Sequence, residues 1–173
     1  MKRAAPCGAA DHGVRLRLFT PENKAALDCG RCRVHIRQMT DAATLNDIAR
    51  VDPPSRLAAV EAGLPVKMLR VVMREFGFTL ASLAGVIAVR RTLERRLDSG
   101  ERFNLEESER LARLIRTLDL GMEIFKDRVR VREWLAGPKA SFDGRSPLSL
   151  LKTEAGGRWV EERLLQLKYG VYS

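Results

Sequence analysis

The spacing of apolar residues takes on the period of a helix from residue 53 onward. A first short helix is predicted over 55–62, where Gly63 stops it. Pro65 suits the first turn of a second helix, because its fixed φ is helical and no N–H is needed there. This second helix is predicted to end at Gly77. Its apolar positions are Met68, Val71, Val72 and Phe76.

The next segment has the pattern of a helix-turn-helix motif. Thr79 is a suitable N-cap for a short helix, and Gly85 marks a tight turn before a second helix over 89–98. This second helix has one apolar stripe, which we expect to pack against the preceding helices. The stripe consists of Val89, Leu93 and Leu97. Arg96 lies close to it, and a structural role is expected for that residue.

Polar residues, mostly arginines, cover the opposite face of the same helix. Arg91 and Arg95 lie directly opposite the apolar stripe, with Arg90 and Thr92 beside them. Guanidinium groups match both guanine edges in the major groove and phosphate oxygens, so a DNA-recognition helix is predicted. The alternative is a solvated charged face on which Arg90 and Glu94 form an i,i+4 ion pair.

A longer helix is predicted from Asn104, which forms a capping-box pattern with Glu107. Its buried face consists of Leu111, Leu114, Ile115 and Leu118. Gly121 is expected to interrupt it, and two short helices are expected on either side of Asp127. Trp134, in the second of these, is expected to anchor the core. No β-sheet is predicted in this half of the chain.

The C-terminal segment contains two further predicted helices. Ser146 and Pro147 open a short one, and Gly156 and Gly157 are expected to form a break before an amphipathic helix that ends at Gly170. One stripe of the last helix suits the protein's own core, and it consists of Val160, Leu164 and Leu167. A second apolar side is formed by Leu165 and Tyr169. This second side either packs within the domain or binds another chain.

Residues 1–52 lack this periodicity, and mostly irregular structure is predicted for them. Cys29 and Cys32 form a Cys-x-x-Cys pair with His35 nearby, a spacing that zinc ligands can have. A closed structural zinc site needs four ligands, and the other cysteine and histidine lie far upstream. We therefore predict no metal site, and a metal-binding regulator is the most distant of the alternative functions.

Charge narrows the class of partner. Lysine and arginine total 31 against 22 for aspartate and glutamate, which gives a formal charge of +9 and a pI near 10.1. This balance favours a polyanion, and nucleic acid before membrane. The longest uncharged run, from Phe76 to Val89, is too short to span a bilayer, and no secretory signal is predicted. The odd number of cysteines, 3, fits a reducing cytoplasm.

Catalytic chemistry is not indicated by any motif. The 2 histidines both lie in the irregular N-terminal part, and the chain has no Gly-x-Ser-x-Gly elbow, P-loop or dinucleotide fingerprint. The carboxylates at 106, 107 and 109 begin a helix, where capping and the helix dipole explain them. We therefore expect neither catalysis nor a cofactor.

A spaced motif runs through the C-terminal segment from Trp134 to Val171. Its pattern is W-L … G-x-x-P-L-x-L-L-x-T-x-x-G … V-x-x-x-L-x-x-x-x-x-G-V. Upstream, Gly63-Leu64-Pro65 and the run RRTLERR at 90–96 accompany it. With these residues the chain resembles the Xre/MbcA/ParS-like antitoxin family from about residue 55 to its last residue.

The resemblance implies an all-α protein with an Xre-like helix-turn-helix DNA-binding domain (53–117) and a small helical toxin-binding domain (118–173). The irregular N-terminal extension (1–52) precedes them and has no counterpart in the resemblance. The resemblance further implies a cytoplasmic type II antitoxin whose partner is a RES-type toxin that depletes NAD+. Such an antitoxin forms a homodimer within a toxin–antitoxin hetero-oligomer, binds its own operator DNA, and covers the toxin's NAD-binding cleft with its C-terminal part.

Two sets of site residues follow from these considerations. The expected DNA contacts are Arg90, Arg91, Thr92 and Arg95. The expected toxin contacts are Leu165, Tyr169, Gly170, Val171, Tyr172 and Ser173. Tyr172 suits an anchor in a cleft, although the resemblance and not the pattern favours this over a frayed terminus. The alternative function is a stand-alone helix-turn-helix repressor whose C-terminal domain only dimerises.

Overall fold

The computed structural model describes residues 52–170 of the chain. In this range the elements are, in order, α1 (Pro53–Glu61), α2 (Val66–Phe76), α3 (Leu80–Leu83), α4 (Arg90–Ser99), α5 (Leu105–Phe125), α6 (Arg128–Ala136), a 3₁₀ turn (Ala140–Phe142), α7 (Pro147–Leu150) and α8 (Glu154–Tyr169). No β-strand occurs among the described residues, and an isolated bridge joins Ala84 to Ala88. The predicted all-α fold is confirmed for this part of the chain. None of the described helices combines the length and apolar character that a bilayer-spanning segment requires.

Local side-chain signals set where several of these helices begin. Thr79 accepts a hydrogen bond from the backbone N of Ser82 at the start of α3, at 3.2 Å. Asn104 and Glu107 form a reciprocal capping box at the start of α5, with N···O distances of 2.8 and 2.9 Å. Ser146 caps α7, in which proline occupies the first turn. The predicted starts of these helices are therefore confirmed.

The predicted interruptions at three glycines are wrong. Gly121 lies inside α5, and Gly156 and Gly157 lie inside α8. A Cβ on Gly121 would lie 3.0 Å from Val131 Cγ1, and one on Gly157 would lie 2.3 Å from Arg113 Cδ. At these two positions the absence of a side chain lets neighbouring elements approach closely, and the helices continue through them.

The chain turns sharply between α5 and α6. Lys126 ends α5 with a left-handed φ of 56°. Asp127 then accepts a hydrogen bond from the backbone N of Arg130, at 2.8 Å, and so caps α6. The short helix predicted after Asp127 therefore exists as part of α6, whereas residues 122–125 are the last turn of α5.

The central helix α5 packs into a single apolar core. The residues predicted for its buried face are buried, and they are Leu111, Leu114, Ile115 and Leu118. From the helix-turn-helix side the core includes Leu64, Leu69, Leu83, Ile87 and Leu93. From the C-terminal side it includes Val131, Leu135, Leu151, Val160 and Leu164. One helix therefore carries the core of both halves of the described chain.

Val89 departs from the predicted apolar stripe of α4. Leu93 is fully buried and Leu97 packs against the core, but Val89 is 66% exposed. Val89 is the N-cap residue, and its φ of −66° and ψ of 148° are those of extended backbone. Its side chain therefore does not follow the helical wheel. The buried stripe of α4 begins at Leu93.

Helices α5 and α8 lie side by side and run in the same direction. Ion pairs between them join Arg113 to Glu154 (2.7 Å), Arg116 to Glu161 (3.3 Å) and Glu123 to Lys168 (2.6 Å). The paired positions advance together along both helices, which defines their parallel orientation. This alignment holds the last turns of α8 beside the C-terminal end of α5.

Candidate functional site

The arginine face of α4, formed by Arg90, Arg91, Thr92 and Arg95, is open to solvent. All three arginines are exposed and Thr92 is partly buried. Within residues 52–170, the guanidinium groups of Arg91 and Arg95 form no ion pair or hydrogen bond with another residue. Both groups are therefore free to bind an external partner. The residues that the sequence predicted for one surface lie together on one helix.

Arg90 behaves differently from the other two arginines of this face. Its Nε lies 2.7 Å from Glu94 Oε1, which is the i,i+4 pair of the alternative interpretation. The side chain of Arg90 is nevertheless 67% exposed. An exposed pair of this kind contributes little stability, so a phosphate could displace the carboxylate at small cost. The ion pairing of the alternative interpretation is thus present at Arg90 and absent, among the described residues, at Arg91 and Arg95.

A buried frame holds α4 in place. Leu83 before the turn, Ile87 within it and Leu93 in α4 are all fully buried. Gly85, which lies in the turn, has a left-handed φ of 80° and is exposed, and no atom would lie within 4 Å of a Cβ placed on it. The turn therefore requires glycine for its backbone conformation and not for space.

Three arginines outside the face fix the position of α4. Arg96, whose side chain is 13% exposed, lies 2.8 Å from the carboxylate of Glu107 and donates to the carbonyl of Arg102 at 2.6 Å. The structural role predicted for Arg96 agrees with this burial. Arg70 of α2 donates to the carbonyl of Leu97, and Arg110 of α5 donates to the carbonyl of Ile87 at 3.1 Å. Sequence periodicity gave no signal for the last two contacts, because they join distant parts of the chain.

The C-terminal apolar face consists of Leu165 and Tyr169 on α8. Leu165 is 41% exposed and Tyr169 is 69% exposed, whereas Val160 and Leu164 on the opposite side are buried. Leu167 is partly buried against the core. Internal packing therefore accounts for the predicted core stripe and not for Leu165 or Tyr169. The face remains available for a second chain.

Helix α8 ends at Gly170, whose φ of 68° is left-handed and whose N–H donates to the carbonyl of Gln166. Val171, Tyr172 and Ser173, the remaining predicted toxin contacts, lie outside the described residues. Lys168 lies beside this end of the helix: its Nζ is 2.6 Å from Glu123 Oε2 and 5.6 Å from the ring centre of Tyr169. The hydrogen bond with Glu123 raises the pKa of Lys168 above its ordinary value.

A shallow groove of about 230 Å³ lies between α5 and α8 beside these residues. Its walls are formed by Arg116, Asp119, Leu120, Glu123 and Glu161. Two ion pairs cross between these helices here: Arg116 is held by Glu161, and Glu123 is held by Lys168.

An aromatic cluster supports the C-terminal half. Trp134 lies 6.0 Å from Phe125 and 6.1 Å from Phe142 between ring centres, and Phe142 lies 5.1 Å from Trp159 in an edge-to-face arrangement. The guanidinium of Arg145 lies 5.7 Å from the centre of the Trp159 ring. The prediction that Trp134 anchors the core agrees with these contacts, although the tryptophan itself is only partly buried.

No cluster of potential metal ligands occurs among residues 52–170. Cys29, Cys32 and His35, whose spacing zinc ligands can have, lie outside the described residues.

Two protein families match adjacent parts of the chain. The family described as antitoxin Xre-like helix-turn-helix domain matches residues 55–116. The family described as antitoxin Xre/MbcA/ParS C-terminal toxin-binding domain matches residues 120–170. The arginine face lies in the first match and the C-terminal apolar face in the second.

Three relatives, each named antitoxin Xre, are similar to this chain. The protein from Yersinia enterocolitica is 39% identical over 84 residues, which are 48% of this chain and 57% of the relative. The Pseudomonas putida protein is 34% identical over 80 residues, 46% of this chain and 50% of the relative. The Photorhabdus laumondii protein is 25% identical over 122 residues, 69% of this chain and 82% of the relative. The chain thus spans between about half and four-fifths of the length of these relatives.

Proposed function

Because the chain belongs to the Xre/MbcA/ParS-like antitoxin family, we propose that it is a type II antitoxin that neutralises a RES-type toxin and binds its own operator DNA. The match of residues 120–170 to a toxin-binding domain carries the first part of this proposal. The guanidinium groups of Arg91 and Arg95, which have no partner among residues 52–170 and follow a helix-turn-helix turn, support the second part. In this proposal both activities take place in the cytoplasm.

Neutralisation is assigned to the C-terminal apolar face and the residues that follow it. Leu165 and Tyr169 are large apolar side chains that are 41% and 69% exposed to water in the isolated chain. Covering them in a complex removes apolar surface from water, and a tyrosine also offers a hydroxyl to the partner. In this proposal the face docks on the toxin, and residues 170–173 extend over its NAD-binding cleft. The toxin then cannot consume NAD+.

Operator binding is assigned to α4. The recognition helix of a helix-turn-helix protein lies in the major groove, with its N-terminal part toward the base edges. Arg91 and Arg95 would bind guanine edges there, while Arg90 and Thr92 would bind neighbouring phosphates. A homodimer would place two such helices on successive half-sites of a palindromic operator. The formal charge of +9 favours the approach to DNA.

The experiment that tests this function is co-expression with the RES-type protein encoded by a neighbouring gene. A tagged form of the chain is expected to co-purify with that protein and to stop its NAD+ consumption. A form truncated after Gly170 is expected to co-purify and to inhibit less. A protein that binds operator DNA but neither captures nor inhibits the toxin would contradict the antitoxin function. That result would favour the repressor whose C-terminal domain only dimerises.

A further inference from the structure

Val89 is an exposed apolar side chain at the leading end of the predicted recognition helix. It is 66% exposed, and it directly precedes Arg90 and Arg91. An isolated exposed valine is ordinary on a protein surface. Here, however, the residue occupies the end of α4 whose neighbours approach base edges when such a helix enters the major groove.

The backbone around Val89 is rigidly held. Ile87 before it and Leu93 after it are both fully buried. The carbonyl of Val89 accepts hydrogen bonds from the N–H groups of Thr92 at 2.9 Å and Leu93 at 3.1 Å. The guanidinium of Arg110 holds the carbonyl of Ile87 at 3.1 Å. Val89 is therefore presented by a fixed frame and is not a fraying end, so a contact made through it requires little additional ordering.

We infer that Val89 reads a thymine in the operator, by packing against the C5-methyl group that thymine exposes in the major groove. This inference rests on the proposed DNA-binding function and assigns to it one base that the arginines do not read. Guanidinium groups recognise guanine through O6 and N7, whereas thymine offers a methyl group that suits an apolar side chain. A valine beside exposed arginines thus supplies the complementary chemistry.

The probe for this contact is uracil, because deoxyuridine differs from thymidine only by the missing methyl group. A preferred duplex is first selected by the full chain from a random library. Each thymine of that duplex is then replaced singly by uracil, and the dissociation constant is measured at one salt concentration. One thymine per half-site is expected to be sensitive, with a loss of about fourfold, equivalent to about 0.8 kcal/mol.

The Val89→Ala variant tests whether that sensitivity belongs to Val89. It is expected to bind the thymine duplex more weakly than the wild type does. Replacing the sensitive thymine by uracil is then expected to weaken its binding little further. Val129→Ala is the matched control, because Val129 is a valine of similar exposure, 50%, on another helix. This control is expected to keep the wild-type response to uracil. Thermal unfolding of both variants verifies that each is folded.

The possible outcomes separate this contact from the function on which it rests. A selected duplex that shows no uracil-sensitive thymine contradicts the contact. The contact is also contradicted if replacing the sensitive thymine by uracil weakens binding by Val89→Ala as much as it weakens binding by the wild type. Failure to select any preferred duplex contradicts the operator-binding function itself, and the contact with it.

Discussion

Gly157 sets how closely α8 can approach α5. The side chain of Arg113 occupies the space that a Cβ on Gly157 would need: that Cβ would lie 2.3 Å from Arg113 Cδ. From there its guanidinium reaches the carbonyl of Leu151 at 2.8 Å and the carboxylate of Glu154 at 2.7 Å. A buried guanidinium is tolerated only when its donors are satisfied, so the glycine and the arginine depend on each other.

The Gly157→Ala substitution is expected to destabilise the protein. In a helix, alanine is normally better than glycine by about 1 kcal/mol, so a net loss must come from the collision with Arg113. Overpacking of this kind costs about 1–3 kcal/mol. After the helix gain of about 1 kcal/mol is subtracted, the free energy of unfolding in urea is expected to fall by up to about 2 kcal/mol. Gly121→Ala serves as the comparison and is expected to destabilise the protein less. Its new Cβ would lie 3.0 Å from Val131, so that side chain has to move less. A more stable Gly157→Ala protein would show that the approach is not tight.

Arg91 and Arg95 are the residues on which operator affinity is expected to depend. Replacing both by alanine is expected to cost about 1–3 kcal/mol for each base contact that they make. Arg130 and Arg158 provide a control pair of exposed arginines on other helices, whose replacement removes the same charge. Binding to the operator, measured at matched salt, should fall much further for the first pair than for the second. Equal losses would mean that only charge, and not α4, matters.

At the scale of elements, the start of α8 is held by an interaction that depends on pH. Hydrogen bonds from Arg113 and then Arg158 lower the pKa of Glu154 from its ordinary value of 4.5. A carboxyl whose pKa is lowered in the folded state stabilises the fold at pH values above its pKa in the unfolded chain. That contribution is lost as the pH falls below about 4.5 and through the folded pKa.

Glu154→Gln is expected to remove this pH dependence. Its urea midpoint should fall less than that of the wild type when the pH is lowered through the range just below 4.5. Glu162→Gln is the matched control, because Glu162 is an exposed carboxylate on the same helix that forms no ion pair with another described residue. The control should follow the wild type. A Glu154→Gln protein that also follows the wild type would contradict the stabilising role of the Arg113 contact.

The elements also show what a single sequence can and cannot predict. The starts of α3, α5 and α7 were predictable, because Thr79, Asn104 and Ser146 act on backbone groups three residues away. The predictions for Gly121 and Gly157 are wrong, because the sequence does not distinguish a glycine that ends a helix from one that permits close packing. Only their distant neighbours distinguish the two cases.

The same distinction applies to the candidate site. The exposure of Arg91 and Arg95 followed from helical periodicity, which is a local property. Val89 was misplaced because the wheel was extended by one residue into the N-cap, where the backbone is no longer helical. The contacts of Arg70 and Arg110 with the carbonyls of the turn and of α4 depend on tertiary packing, which periodicity does not contain.

At the scale of the whole molecule, the arginine face and the C-terminal apolar face are separate surfaces on one shared core. α5 contributes buried residues to that core, which includes residues of both halves. Apart from the partly buried Thr92, both surfaces consist of exposed residues, and replacing those residues removes little internal packing. The proposed functions should therefore separate by mutation.

Inhibition of the toxin by surface variants is a direct test of the proposed antitoxin function. The measurement is NAD+ consumption by the RES-type toxin that we propose as the partner, titrated with wild-type protein, with Leu165→Ser/Tyr169→Ser, and with Arg91→Ala/Arg95→Ala. Loss of two apolar contacts is expected to weaken inhibition by the first variant about tenfold or more, while the arginine variant inhibits as the wild type does. Full inhibition by Leu165→Ser/Tyr169→Ser would contradict the role of the C-terminal apolar face. No inhibition by the wild-type protein would contradict the antitoxin function itself.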